Sequence, residues 1–98
     1  VPPETVALNI SATIELEENT TLDAVKNKMV TGMKNYLVEA AEVKEIRVSR
    51  IGSVISETEG VADYKDLRVN GGTANIAIAN TQLAVVEKEN LILTAGTV

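Results

Sequence analysis

Cysteine and histidine are both absent from this 98-residue chain. No disulfide and no thiolate metal site can form. The commonest general base and the commonest metal ligand are missing too. Phe and Trp are also absent, and Tyr36 and Tyr64 are the only aromatic residues. A core must then be built from Val, Ile, Leu, Met and Ala, without the large aromatic anchors typical of ligand pockets and interface hot spots. Positive charge is sparse: nine Lys and Arg stand against fourteen Asp and Glu, a formal net charge of −5. That balance argues against nucleic acid, which requires clustered cations, and against an anionic membrane surface. Apolar runs such as Leu83-Ala84-Val85-Val86 are far too short to span a bilayer.

Apolar residues nevertheless make up 45% of the chain, enough for one continuous core at this length. The expectation is a single α+β domain over residues 1–98. Val1-Pro2-Pro3-Glu4 does not read as a signal peptide, and without an initiating Met the chain is expected to be either processed or, the preferred reading, a fragment of a longer protein. Pro2 and Pro3 are expected to hold the first residues extended.

Residues 6–17 alternate. Leu8, Ile10, Ala12, Ile14 and Leu16 point one way, and Asn9, Ser11, Thr13, Glu15 and Glu17 the other. This predicts one strand with a buried and a wet face. Thr20 is placed to cap a helix, with Asp23 reaching back to its amide. Leu22, Val25, Met29, Met33, Tyr36, Leu37 and Ala40 then recur at helical spacing over about five turns. Gly32 costs about 1 kcal/mol in a helix interior relative to Ala, so close packing is its expected reason. Residues 41–48 read as a connection with Ile46 and Val48 dipping into the core. Ser49 is a candidate cap for a second helix bearing Ile51, Val54, Ile55 and Thr58 on one face, stopped by Gly60.

Val61–Val69 reads as a strand with Leu67 and Val69 inward. Asn70-Gly71-Gly72 predicts a hairpin turn, with Thr73–Ala79 as the returning strand. Leu83–Val86 and Leu91–Leu93 are weaker strand signals. The expected architecture is an antiparallel sheet of three to four strands with two helices on one face, in the order β-α-α-β-β-(β).

No constellation of residues carries chemistry. Glu15 and Glu17 lie about 7 Å apart on one strand face, a spacing open to acid/base work, but the simpler reading is a solvated face. Asp63 and Asp66 with Glu59 lack the oxygen spacing and glycine of a calcium loop. Asn70-Gly71-Gly72 precedes a strand and has no following Lys, so it is not a phosphate loop. Ser49, Ser53 and Ser56 have neither His nor a suitably spaced Lys to activate them. Lys44, Arg47 and Arg50 form a basic corner that local salt bridges account for, with docking of an acidic partner as the functional alternative. Met29, Met33 and Tyr36 share a stripe with Leu22, Val25 and Leu37, which reads as core before it reads as a partner groove. Catalytic, cofactor-binding and metal-binding residues are therefore all expected to be none. The outward Asn9, Ser11 and Thr13, small and uncharged, are the expected docking face.

The run Ile46-Arg47-Val48-Ser49-Arg50-Ile51-Gly52-Ser53-Val54-Ile55-Ser56-Glu57-Thr58-Glu59-Gly60-Val61 resembles the baseplate J-like family of contractile phage tails. A short helix leads to Gly60-Val61. The aspartate-containing Ala62–Asp66 follows, then the strand-to-turn Leu67-Arg68-Val69-Asn70-Gly71 and the Asn-Ile segment Asn75-Ile76-Ala77-Ile78. Upstream, Pro3 precedes the alternating strand, and Leu22-Asp23-Ala24-Val25 opens the long helix that ends near Tyr36-Leu37. The order of these pieces along nearly the whole chain carries the likeness. Where members often have Pro-Gly before the second helix, this chain has Glu42-Val43-Lys44-Glu45.

The resemblance implies the C-terminal domain of a longer protein, similar to those of Mu-like phages and PBSX-like prophages. It implies a structural wedge component of the tail baseplate, assembled in the bacterial cytoplasm, that mediates subunit contacts and transmits the rearrangement triggering contraction. The implied partners are other baseplate subunits and copies of itself, with no catalytic residue, nucleic acid, membrane or small-molecule substrate. The rival from another class is a small regulatory or ligand-binding α+β module of a larger cytoplasmic protein, which would require a deep pocket with convergent polar groups.

Overall fold

The alternating N-terminal run folds as two strands, β1 (Glu4–Ala7) and β2 (Ile10–Leu16), in the computed structural model, which describes residues 4–97. The expected role of Pro2 and Pro3 lies outside the described residues. The break falls at Leu8-Asn9 because the chain changes partners there. The Leu8 N–H donates to the Val85 carbonyl at 2.9 Å, whereas the Asn9 N–H donates to Asn70 Oδ1 at 2.7 Å and its carbonyl accepts from the Asn70 N–H at 2.7 Å. The alternation survives as burial, with Leu8, Ile10, Ala12 and Ile14 all in the core.

Helix α1 (Leu22–Val43) is one turn longer than the periodicity predicts. Thr21 rather than Thr20 caps it, its Oγ1 accepting from the Ala24 N–H at 3.3 Å. Asp23 does not reach back; it pairs with Lys88. The helix ends when Lys44 adopts φ 59° and its N–H bonds the Ala40 carbonyl. The connection expected over 41–48 therefore shrinks to residues 44–47, occupied by β3 (Glu45–Ile46). Helix α2 (Val48–Glu57) begins one residue before Ser49, which is not its cap. Thr58, turning extended at φ −67° and ψ 128°, ends this helix, and Gly60, the expected stop, takes its φ of +97° in the turn that follows.

β4 (Val61–Val69) is as read from the sequence, and Asn70 (φ 53°) with Gly71 (φ 81°) turns as expected. The returning strand does not form: β4 receives only the isolated Val69–Gly72 bridge. Ile76 goes elsewhere, into β5 (Ile76–Ala77), antiparallel to β3 with Ile46 opposite Ile76. Turn chemistry is local, and burial of Ile76 against Ile46 decides the partner. β6 (Gln82–Val85) pairs parallel with β1, and β7 (Leu91–Ala95) follows a short 3-10 turn at Lys88–Asn90.

The central sheet has the order β4-β2-β7. β4 is antiparallel to β2 and β7 is parallel to it. The sheet is thus mixed, not antiparallel. The seven described strands form three small sheets in the order β-β-α-β-α-β-β-β-β, not β-α-α-β-β-(β). The class, α+β with two helices, stands. One aliphatic core joins Ile10, Ala12 and Ile14 to Val25, Met29 and Met33 of α1 and Ile51 and Ile55 of α2. Gly52 lets α2 lie close on Tyr64 and Leu67 of β4; Gly32 brings α1 close to Val54 of α2.

Candidate interaction surface

Three surfaces remain once the core is accounted for. The first is the outer face of the central sheet. Directly opposed residues share a face, so Ser11 and Thr13, alternating with the buried Ile10, Ala12 and Ile14, define it. Ser11 stands between Arg68 and Ile92, Thr13 between Lys65 and Thr94, and Glu15 opposite Asp63. Ile92 is 57% exposed. Asn9, expected here, is instead tied into the break before β2, where Asn90 Nδ2 also donates to Asn9 Oδ1 at 3.0 Å. The face is not uncharged either, because β4 contributes two cations.

The second surface is a groove of about 450 Å³ between α1 and β6, lined chiefly by Leu37, Val38, Ala41, Leu83 and Val85. Val38 is 68% and Leu83 47% exposed. Its charged rim, Lys34 and Glu87, is spent on an internal ion pair at 3.2 Å. The groove therefore lacks the convergent polar groups that a ligand-binding module would require. The third is the basic corner. Lys44 serves as the left-handed cap of α1, and Arg47 Nε bonds Glu45 Oε1 at 2.9 Å. Arg47 is the one member of the corner held in an ion pair among the described residues, and Lys44 and Arg50 are exposed.

The other candidates resolve into structure. Met29 and Met33 are buried, and Tyr36 is half-buried with its hydroxyl accepting from the Arg47 N–H at 2.8 Å. Ser53 and Ser56 bond back to carbonyls of their own helix. Glu59 pairs with Lys28 at 3.5 Å, and Asp63 Oδ1 accepts from the Tyr64 N–H at 2.8 Å. Among the described residues no three acidic side chains gather as a metal site. Glu17 lies beyond the end of β2, where its N–H bonds the Gly60 carbonyl. The Asp23 carboxyl is held below its ordinary value first by the hydrogen bond from Lys88, then by that residue's charge. No helix among the described residues is long and apolar enough to cross a membrane.

Sequence reasoning missed Lys65 and Arg68 as a pair. Strict alternation puts residues three apart on opposite faces, and only a bulge brings them together. It also missed Asn75, whose partner is 27 residues away.

Two proteins of Bacillus subtilis (strain 168) are similar to this chain. YqbT, uncharacterised, is 29% identical over 86 residues, and the phage-like element PBSX protein XkdT is 27% identical over 86 residues. Each alignment covers 87% of this chain but 25% of the relative, so the chain spans about a quarter of their length. The family model for the baseplate J-like protein C-terminal domain matches residues 8–91, from the buried Leu8 before β2 to the first residue of β7, and the chain belongs to that family.

Proposed function

We propose that this chain is a scaffolding domain at the C-terminal end of a longer tail-baseplate protein, holding neighbouring subunits in place during assembly of a phage or phage-like contractile tail. The observation that carries the reading is the family match over residues 8–91, which makes the chain baseplate-related. The kinship with a PBSX phage-like element protein supports the phage-tail context. The structural character of the family supports a non-enzymatic role. Its place is the virion tail, reached by assembly in the bacterial cytoplasm, and its partners are other baseplate subunits.

The test is removal of the domain's codons at the genomic locus, followed by electron microscopy of induced particles. Tubes and sheaths lacking baseplates are expected. Normal contractile particles at normal yield would overturn the assembly role.

A further inference from the structure

β4 is irregular where it passes β2. Ser11 faces Arg68 and Thr13 faces Lys65, so both Asp66 and Leu67 stand opposite Ala12. This is a bulge, with Asp66 in the left-handed region at φ 56°. In a regular strand residues 65 and 68 would project from opposite faces. The bulge puts both cations on the outer face while Tyr64, Leu67 and Val69 stay on the core side. Bulges of this kind re-aim side chains.

Lys28, Lys34, Arg47 and Lys88 are each held in an ion pair. Lys65 and Arg68, in common with Lys26, Lys44 and Arg50, have none among the described residues, and these two stand side by side on one face of the sheet. Beside them lie the small hydroxyls of Ser11, Thr13 and Thr94 and the exposed Ile92. The centre of this surface has little side-chain entropy to lose; Lys65 and Arg68 form a cationic edge opposite the apolar Ile92, with Glu15 and Asp63 confined to one end of the face.

We propose that the outer face of the β4-β2-β7 sheet docks an acidic protein surface of another tail subunit, with Lys65 and Arg68 as its charge contacts. The partner is a protein rather than nucleic acid. Two cations on a body of net charge −5 complement a local acidic patch, while a polyanion many charges long would be repelled by the rest of the domain. The apolar Ile92 at the far edge suits a protein surface too. This inference rests on the scaffolding role above, and names the partner's chemistry and the face that meets it.

The test is charge reversal, Lys65→Glu with Arg68→Glu, at the genomic locus, beside the domain deletion. The purified double variant keeps the wild-type melting transition, since both side chains are exposed and in no ion pair among the described residues. Assembled particles fall at least tenfold, and Lys65→Arg with Arg68→Lys keeps them at wild-type numbers. A photo-crosslinking residue at Thr13 in assembled particles joins to an Asp- and Glu-rich peptide of a different subunit. Normal particle numbers from the charge-reversed, folded variant overturn the proposal even where the deletion is defective; normal particles from the deletion overturn the scaffolding role itself. A crosslink to a second copy of this chain, or retardation of duplex DNA by the purified chain, assigns the face to another occupant and equally overturns it.

Discussion

Asn75 caps a helix that it does not precede: its Oδ1 accepts the hydrogen bond of the Val48 N–H, the first of α2, at 2.9 Å. Arg47, at the N-cap position, makes no capping hydrogen bond with its side chain. The Tyr36 hydroxyl accepts from the neighbouring Arg47 N–H, so two distant side chains take up backbone donors where α2 begins. Asn75→Ala should therefore destabilise the fold by about 1 kcal/mol, the usual cost of a lost cap. Asn75→Asp, which keeps the acceptor, should stay near wild type. Urea denaturation reads both, and an unchanged midpoint for Asn75→Ala would show that water replaces the cap at no cost.

The core prediction is harsher. Ile14 and Ile55 are fully buried, one on β2 and one on α2. Ile14→Asp or Ile55→Asp places an unpaired charge or an orphaned carboxyl there, at a cost of several kcal/mol, against a total stability on the order of 5–10 kcal/mol. Either variant should lose its cooperative melt by circular dichroism. A retained transition would mean the helix-bearing face is misassigned.

Gly52 and Tyr64 should be energetically coupled. A Cβ at position 52 would collide with the Tyr64 hydroxyl, and its next contact is Tyr64 Cζ at 3.3 Å. Gly52→Ala should cost about 1–3 kcal/mol by overpacking. In a Tyr64→Phe background the nearest atom is gone, and the cost should fall by at least about 0.5 kcal/mol. A double-mutant cycle showing strict additivity would contradict this contact.

Asp23 sets the pH dependence of one long-range tie. Its carboxyl is exposed, yet the hydrogen bond and charge of Lys88 hold its pKa below the ordinary 3.8, helped by Lys26. A depressed folded-state pKa contributes stability above the unfolded value, and that contribution is lost as pH falls through the folded value. Lys88→Met should move the Asp23 NMR titration upward and flatten the stability–pH slope in that acid window. High salt should weaken the effect. An Asp23 titration unmoved by Lys88→Met would remove this tie between α1 and the turn before β7.

What the sequence made legible follows from how far each signal reaches. The stripe from Leu22 to Ala40, the Ile51–Ile55 face and the β4 strand are long enough for periodicity to identify them. The Asn70-Gly71 turn is legible because its left-handed backbone is a property of those two residues alone. The parallel β2–β7 pairing, by contrast, depends on where a five-residue strand lands after a 3-10 turn. The two-residue strands β3 and β5 carry no period at all. The docking face was half legible. Alternation exposed Ser11 and Thr13, while the bulge that adds Arg68 to Lys65 breaks the rule that alternation depends on. Asn9 was misplaced because its ties to Asn70 and Asn90 span 61 and 81 residues.

Gly60 and Gly71 separate backbone strain from packing. Both sit at positive φ, +97° and +81°. Around Gly71 a Cβ would meet nothing within 4 Å, so Gly71→Ala should cost only the left-handed backbone term, about 1–2 kcal/mol. At Gly60 the same substitution meets Thr20 Cγ2 at 2.6 Å and Val25 Cγ2 at 3.0 Å. Val25 is fully buried in α1 and cannot yield without opening the core. The Gly60 carbonyl also accepts from the Glu17 N–H at 2.9 Å, which ties this corner to the end of β2. A backbone shift to relieve the clash would lengthen that bond. Gly60→Ala should therefore exceed Gly71→Ala by about 1–3 kcal/mol, the range for overpacking. Thr20→Ser, which deletes the Cγ2 methyl, should recover part of the excess at Gly60 and nothing at Gly71. Equal midpoints for the two alanine variants in urea denaturation would mean that the approach of Gly60 to Thr20 and Val25 carries no energetic weight.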